Sequence, residues 1–296
     1  MVSHLENPDS WRDEGTLIEW AATQLARGRL ALVLGAGASH GFGFPGWSEL
    51  TDRLFRAAGV VRPTGTTDDA AAEMLLHEAA GGDDVRFASL VRDALYRGYD
   101  FDPSAISSVS LLAAIGTLCL ASSRGRAAYV VTYNFDVVLE EYLRYFGIRV
   151  DTVAEAPAWN STADVRILHP HGALHPKGPV TRGVVYCLTH FDRIIGNAAE
   201  AWHRIQLDVF SSHTCIFIGL SGEDRNLSSL LTKTKDSHAC RRDGHHYWGI
   251  RLTRSGAEND HIWRPRGVHN HVLVDYDRIA PFLLAVCRRA AELATL

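Results

Sequence analysis

The side chains of this chain that could do chemistry fall in four short polar stretches, each directly after an apolar run. They are Gly35-Ala36-Gly37-Ala38-Ser39, Thr132-Tyr133-Asn134-Phe135-Asp136, His169-Pro170-His171-Gly172 and Gly219-Leu220-Ser221-Gly222-Glu223-Asp224. The small residues of the first would let backbone N–H groups approach a pyrophosphate, with the dipole of the following helix, near Ser48, behind them. Taken alone, a glycine-rich turn after a strand serves ordinary tight turns equally well. An open parallel sheet binds its ligands at the carboxyl ends of the strands, so four polar clusters on that edge say more than any one of them.

The elements that must position these clusters are readable from hydrophobic patterning. Apolar runs at Arg29–Leu34, Ala128–Thr132, Ile148–Val153, Val165–His169, Val184–Leu188, Thr214–Gly219, His246–Leu252 and Val268–Val274 read as strands. Helical spacing covers Trp11–Arg27, a segment from Trp47 through Phe55, Asp136–Phe146, Phe191–Phe210 and Asp277–Leu293. Continuous apolar strands alternating with helices predict an α/β, Rossmann-like fold: a mainly parallel sheet with helices on both faces. Between about residues 59 and 126 the pattern changes to alanine- and leucine-rich segments, read as a helical insertion in a single domain spanning 1–296. Gly81-Gly82-Asp83-Asp84 separates two of its helices and Asp102-Pro103-Ser104 starts another.

Composition bounds the partners. A net charge of −4 over 296 residues argues against a dominant nucleic-acid surface. The N-terminus lacks the layout of a signal peptide, and the longest apolar stretch, around Leu111–Ala121, is too short to span a bilayer, so a cytoplasmic location is expected. Cys119, Cys187, Cys215, Cys240 and Cys287 are scattered through mostly apolar runs and read as small buried residues.

A nicotinamide-dinucleotide oxidoreductase is disfavoured, because His40 stands where the third fingerprint glycine should be and Asp52 falls inside a helix instead of closing a second strand. Asp136 and Asp224 could equally be plain helix caps. His169, His171 and His175 lack a cysteine or carboxylate partner at metal-ligand spacing, so no metal is expected. His269-Asn270-His271 lies in a predicted strand without the context of a nuclease motif, and Trp11, Trp20, Trp202 and Trp263 read as core or interface anchors.

In order and spacing these residues resemble the sirtuin superfamily, whose members carry G-A-G-x-S, G-I-P-D-F-R, T-Q-N-x-D, H-G and G-T-S. Here the matching pieces are Gly35 to Ser39, Gly43-Phe44-Pro45-Gly46-Trp47-Ser48, Thr132 to Asp136, His171-Gly172 and Gly219-Leu220-Ser221. Gly46, Trp47 and Ser48 depart from the family loop, and no four-cysteine zinc ribbon follows His171. Lacking it, the chain resembles the sirtuin-like NAD⁺ hydrolases of bacterial anti-phage defence more than a protein deacylase. The resemblance implies NAD⁺ as substrate, with catalytic roles for His171, Asn134 and Asp136. It implies NAD⁺ binding by Gly35, Ala36, Gly37, Ala38, Ser39, Phe44, Pro45, Trp47, Thr132, Tyr133, Gly219, Ser221 and Asp224. Asn134 would hydrogen-bond the ribose and position a water, His171 would act as base, and Phe44 and Trp47 would enclose the nicotinamide. Restraint of a toxic activity implies a homo-oligomer or a separate regulatory or sensor protein such as an ATPase. Group transfer, as a deacylase or ADP-ribosyltransferase, and non-catalytic sensing of NAD⁺ or ADP-ribose stay open.

Overall fold

The computed structural model describes residues 11–100, 102, 109–120, 122–155, 162–197, 200–239 and 247–294. Seven strands form one sheet: β1 Leu30–Leu34, β2 Tyr129–Thr132, β3 Val150–Val153, β4 Val165–Leu168, β5 Thr214–Ile218, β6 Gly249–Arg254 and β7 Val268–Leu273. Their order is β3-β4-β2-β1-β5-β6-β7, and every neighbouring pair is parallel. Burial on both faces explains why the strands read as continuous apolar runs instead of alternating ones. In β1, Leu30, Leu32 and Leu34 enter one core while Ala31 and Val33 enter the other.

The helices divide accordingly. The larger core takes α1 Glu14–Ala26, α2 Trp47–Ala58, α3 Asp68–Glu78, α4 Asp84–Leu95, α5 Ser110–Cys119, α6 Val138–Tyr145 and, at the end of the chain, a long helix Ile279–Ala294. After α6 come α7 Leu188–Gly196, α8 Ala201–Ser212 and α9 Arg225–Ala239; α8 and α9 cover the second core with Phe217, Trp248 and Trp263. Each fully buried leucine or phenylalanine contributes about 1.5–3 kcal/mol relative to exposure, so the two faces together hold the sheet rigid under its loops. Caps fix helix starts where the sequence carries Asp: Asp13 accepts from Thr16 N at 2.7 Å, and Asp83 from Val85 N and Arg86 N at 2.9 Å each.

Three expectations are corrected. Val184–Leu188 is not a strand: Val184 and Tyr186 are buried among helices, with the Tyr186 hydroxyl 2.8 Å from Thr51 Oγ1. Both edges of β4 are already paired, to β2 and β3, and both edges of β5 to β1 and β6, so the sheet interior has no place for it. The helix expected over Phe191–Phe210 is two helices: α7 ends at Gly196, and Glu200 caps α8 by accepting from His203 N at 2.8 Å. The helix expected from Asp136 begins at Val138, with the Asp136 carboxylate accepting from Val138 N at 3.2 Å. The helix start at Asp102-Pro103-Ser104, the strand residue His246 and Cys240 fall wholly or partly outside the described residues.

Candidate functional site

The chain leaves β1 toward β2 on one side, whereas β5, the other neighbour of β1, leads to β6 on the opposite side. This divergence opens a crevice at the carboxyl ends of β1 and β5, the usual ligand position in such a sheet. A cavity of about 870 Å³ lies there. Its walls include Gly35, Ala36 and Gly37 after β1, Tyr133, Asn134, Phe135 and Asp136 after β2, and Gly219, Leu220, Ser221, Glu223 and Asp224 after β5. Pro45, Gly46 and Trp47 at the start of α2 close another side.

The glycines of the two central loops are required by contact. A Cβ on Gly37 would stand 2.7 Å from Gly219 Cα, and one on Gly219, whose φ is +71°, would stand 2.4 Å from Ala38 N. The backbones of the β1 and β5 loops thus touch directly. That contact uses hydrogen bonds too: Gly35 N–H donates to Ile218 O at 2.9 Å and Gly37 N–H to Gly219 O at 3.1 Å. Ala38 and Ser39 N–H donate within their own turn, which leaves Ala36 as the loop amide without a protein acceptor among the described residues. The segment makes two short 3-10 turns, and α2 begins only at Trp47. The loop is therefore less a ready phosphate cradle than its glycines predict.

Asn134 is anchored by the same loop. Its Nδ2 donates to Gly35 O and to Ser39 Oγ, each at 3.1 Å, and the Ser39 hydroxyl donates to Asp136 Oδ1 at 3.1 Å. With both amide hydrogens used, Asn134 offers the cavity an acceptor, Oδ1, and no donor. Burial raises the Asp136 carboxyl to about 6, against the opposing pull of the Val138 amide and Ser39 hydroxyl. Asp136 thus changes charge near neutral pH.

Two further residues support this network from below: His169, which belongs to the third polar cluster but was given no role there, and Glu140, which the sequence did not single out. His169 Nδ1 donates to Asn134 O at 3.0 Å, and its Nε2 lies 2.6 Å from Glu140 Oε1, with both side chains essentially inaccessible. Burial by itself would lower the His169 pKa, but Glu140, the Asn134 carbonyl and Asp136 together outweigh it and the net direction is upward. The pair is a buried imidazole and carboxyl in direct hydrogen-bond contact. The sequence signal for Glu140 is an acidic residue on the inner face of the amphipathic helix α6, a position where carboxylates are rare unless paired.

His171, two residues on, has the opposite surroundings. It is fully buried between the rings of Tyr133 and Phe191, at centroid distances of 4.8 and 5.4 Å, and neither ring nitrogen has a hydrogen-bond partner. Burial lowers its pKa; Asp224, with Oδ2 3.8 Å from Nδ1, opposes that only in part. The ring is neutral and available as a base, but it stands behind Tyr133 and Phe191, which line the cavity. Asp224 also accepts from Leu227 N at 2.7 Å, so it caps α9 while facing His171.

The structure sorts the expected site residues as follows. Gly35, Ala36, Gly37, Pro45, Trp47, Tyr133, Asn134, Asp136, Gly219, Ser221 and Asp224 line the cavity. Ala38, Ser39 and Thr132 sit beneath it, around a void of about 10 Å³, with Thr132 Oγ1 accepting from Asn134 N at 3.2 Å. Phe44 points away, packed on Tyr96 and Tyr99 at 5.5 and 4.7 Å, so Trp47 alone of that pair flanks the cavity. His175 is not drawn to His169, whose two ring nitrogens are taken by Asn134 O and Glu140.

Residues 128–269 match the family model of the SIR2-like domain. A solved structure described as "Structural Basis for the Mechanism and Regulation of Sir2 Enzymes" aligns with a TM-score of 0.51 at 14% identity, covering 94% of this chain and 98% of that one. At that identity the likeness is one of fold. No curated protein matches the chain.

Proposed function

We propose that the protein is a sirtuin-type NAD⁺ glycohydrolase, releasing nicotinamide and ADP-ribose, and that it serves as a regulated NAD⁺-depleting effector in bacterial defence against phage. The observation that carries the enzymatic part is the convergence of Asn134, Asp136 and, one ring behind them, His171 on a single cavity of about 870 Å³ at the crevice between β1 and β5. The size suits an extended nucleotide ligand. The SIR2-like match over 128–269 supports the family and, through it, the substrate.

Nicotinamide departs from a cationic pyridinium and needs little acid assistance, so the chain must stabilise positive charge at the ribose and place a water. Asn134 Oδ1, held through its amide by Gly35 and Ser39, accepts from a ribose hydroxyl or that water. Asp136, at the end of the Asn134–Ser39–Asp136 chain, supplies negative charge beneath the ribose and takes a proton near neutral pH. His171, neutral and unpartnered, is the base once the ring of Phe191 yields to the ligand. Trp47, edge-on to Tyr186 at 4.4 Å, is held as a rigid wall that excludes water from the nicotinamide side.

The biological role rests on the resemblance and on the missing cysteine pairs of a deacylase ribbon. A homo-oligomer or a separate sensor protein would restrain the activity. Purified protein, alone and with any co-encoded partner, is to be incubated with NAD⁺ while nicotinamide release is followed. Wild-type release, with His171→Ala and Asn134→Ala each reduced roughly 100-fold or more, is the expected result. Unchanged turnover in those variants refutes the assigned roles, and labelled ADP-ribose on an acceptor points to transfer instead.

A further inference from the structure

Around the cavity the described lining is acidic. It carries Asp68, Asp69, Asp136, Glu223 and Asp224 against one cation, Arg225. Carboxylates suit a centre where positive charge develops, but they repel a diphosphate, which brings two negative charges of its own. The β1 loop relieves little of this, since four of the five amides from Gly35 to Ser39 are already bound to protein carbonyls. A dinucleotide therefore needs its counter-charge from a side chain.

Resting on the reading of this cavity as an NAD⁺ site, we infer that Arg225 is its diphosphate-binding residue, exchanging its carboxylate partners for phosphate oxygens when the dinucleotide enters. Arg225 is the first residue of α9, so the positive end of a 15-residue helix adds to its own charge. Its guanidinium lies 3.8 Å from Asp69 Oδ2 on α3 and 3.3 Å from Asp192 Oδ1 on α7. Both contacts are longer than a close charge-assisted hydrogen bond, and the side chain is 46% exposed. Exposed ion pairs of this kind hold weakly, so they are readily traded for a phosphate, whose oxygens match the planar guanidinium fork in two parallel hydrogen bonds. Asp69 and Asp192 meanwhile keep the guanidinium extended across the gap between α3 and α7, at the cavity wall where it is required. They also compete with the ligand for it.

That competition gives the proposal a test with two signs. Binding of ADP-ribose, which has the diphosphate but no cleavable nicotinamide bond, is measured by calorimetry over a range of salt concentrations, beside adenosine as a phosphate-free probe. Arg225→Ala is expected to weaken ADP-ribose by roughly 10- to 100-fold and to flatten its salt dependence. Adenosine binding and the melting temperature should stay at the wild-type value, since Arg225 is half exposed. Arg225→Lys is expected to recover part of the affinity, and Asp192→Asn to strengthen ADP-ribose binding a few-fold by releasing the guanidinium. ADP-ribose binding that survives Arg225→Ala with its salt dependence intact overturns the assignment alone. A wild-type protein that binds neither ADP-ribose nor NAD⁺ overturns the NAD⁺ reading and the assignment with it.

Discussion

His169 and His171 stand on the same loop, both with no exposed surface, yet the regions they enter are opposites. His169 belongs to a floor in which both of its ring nitrogens are matched: Glu140 on one, Asn134 O on the other, with Ser39 joining Asn134 to Asp136. His171 belongs to a wall in which polar capacity is left open, with two free ring nitrogens and Asp224 just beyond hydrogen-bond reach at 3.8 Å. A buried charge that is paired rigidifies its neighbourhood, whereas an unmatched buried polar group costs stability and is retained for another reason. The floor holds Asn134 in place, and the wall holds the group the proposed chemistry uses. Burial is the same for both rings; partnership separates them.

Removing the partner on the floor should produce the largest effect. Glu140→Ala takes the carboxyl partner away from the buried His169 ring, whose pKa it raises, and a loss of about 3–5 kcal/mol in urea unfolding is expected. A change below about 1 kcal/mol would show that the floor does not depend on this pair. Asp136 should respond with the other sign. Its carboxyl is raised from 3.8 to about 6, so the folded protein binds that proton more tightly than the unfolded chain and loses stability as pH rises between those values. Asp136→Asn keeps an acceptor for Ser39 and Val138 and is expected to gain up to roughly 3 kcal/mol at pH 8, with no gain below pH 4. Its nicotinamide release should fall even as it becomes more stable.

The smallest stability effect belongs to the wall. His171→Leu replaces an unmatched polar ring by an apolar side chain and should stay within about 1 kcal/mol of wild type, while NAD⁺ turnover falls roughly 100-fold or more. Its pH profile sharpens the contrast. His171 has a lowered pKa, so the unfolded chain takes up that proton first, and the wild type loses stability as pH falls below about 6.5. His169 has a raised pKa; its contribution is present at low pH and is lost as pH rises through the folded value. Unfolding midpoints in His171→Leu should therefore lose the acid-side decline assigned to this ring, and a profile parallel to wild type would merge the two regions.

Equal volume is also a poor guide to function. A second cavity of about 870 Å³ lies against β2 and β4 under α8, lined by residues such as Tyr129, Val165, Trp202 and Leu207. It gathers none of the four polar clusters. The cavity at the carboxyl ends of β1, β2 and β5 gathers residues of three of the four polar clusters, as the open-sheet rule leads one to expect.

Much of this was legible before any coordinates. The seven strands coincide with seven of the eight expected runs, because a strand buried on both faces must be apolar at successive positions. The eighth, Val184–Leu188, misleads for an instructive reason: burying Val184 and Tyr186 beneath helices demands the same residues as burying them in a sheet. Phe44 misled similarly, since an aromatic beside a glycine loop suits a ligand wall and a core equally well, and its contact with Tyr99 across 55 positions settles the matter. The resemblance singled out Asn134, Asp136 and His171, and the structure places the first two on the cavity wall and the third behind Tyr133; the resemblance could not foresee that Asn134 spends both amide hydrogens on Gly35 and Ser39.

The sequence by itself determined the strands, the loops that follow them and the small residues that let two of those loops touch, because these depend on local periodicity and on side-chain size. Only the tertiary structure decided which buried histidine has an acidic partner in hydrogen-bond contact and which has none, and that Phe44 faces inward. Those outcomes depend on partners brought from elsewhere in the chain: Glu140 is 29 positions from His169, and Ser39 is 97 positions from Asp136. In a low-dielectric interior the presence or absence of one such partner sets the charge of a group.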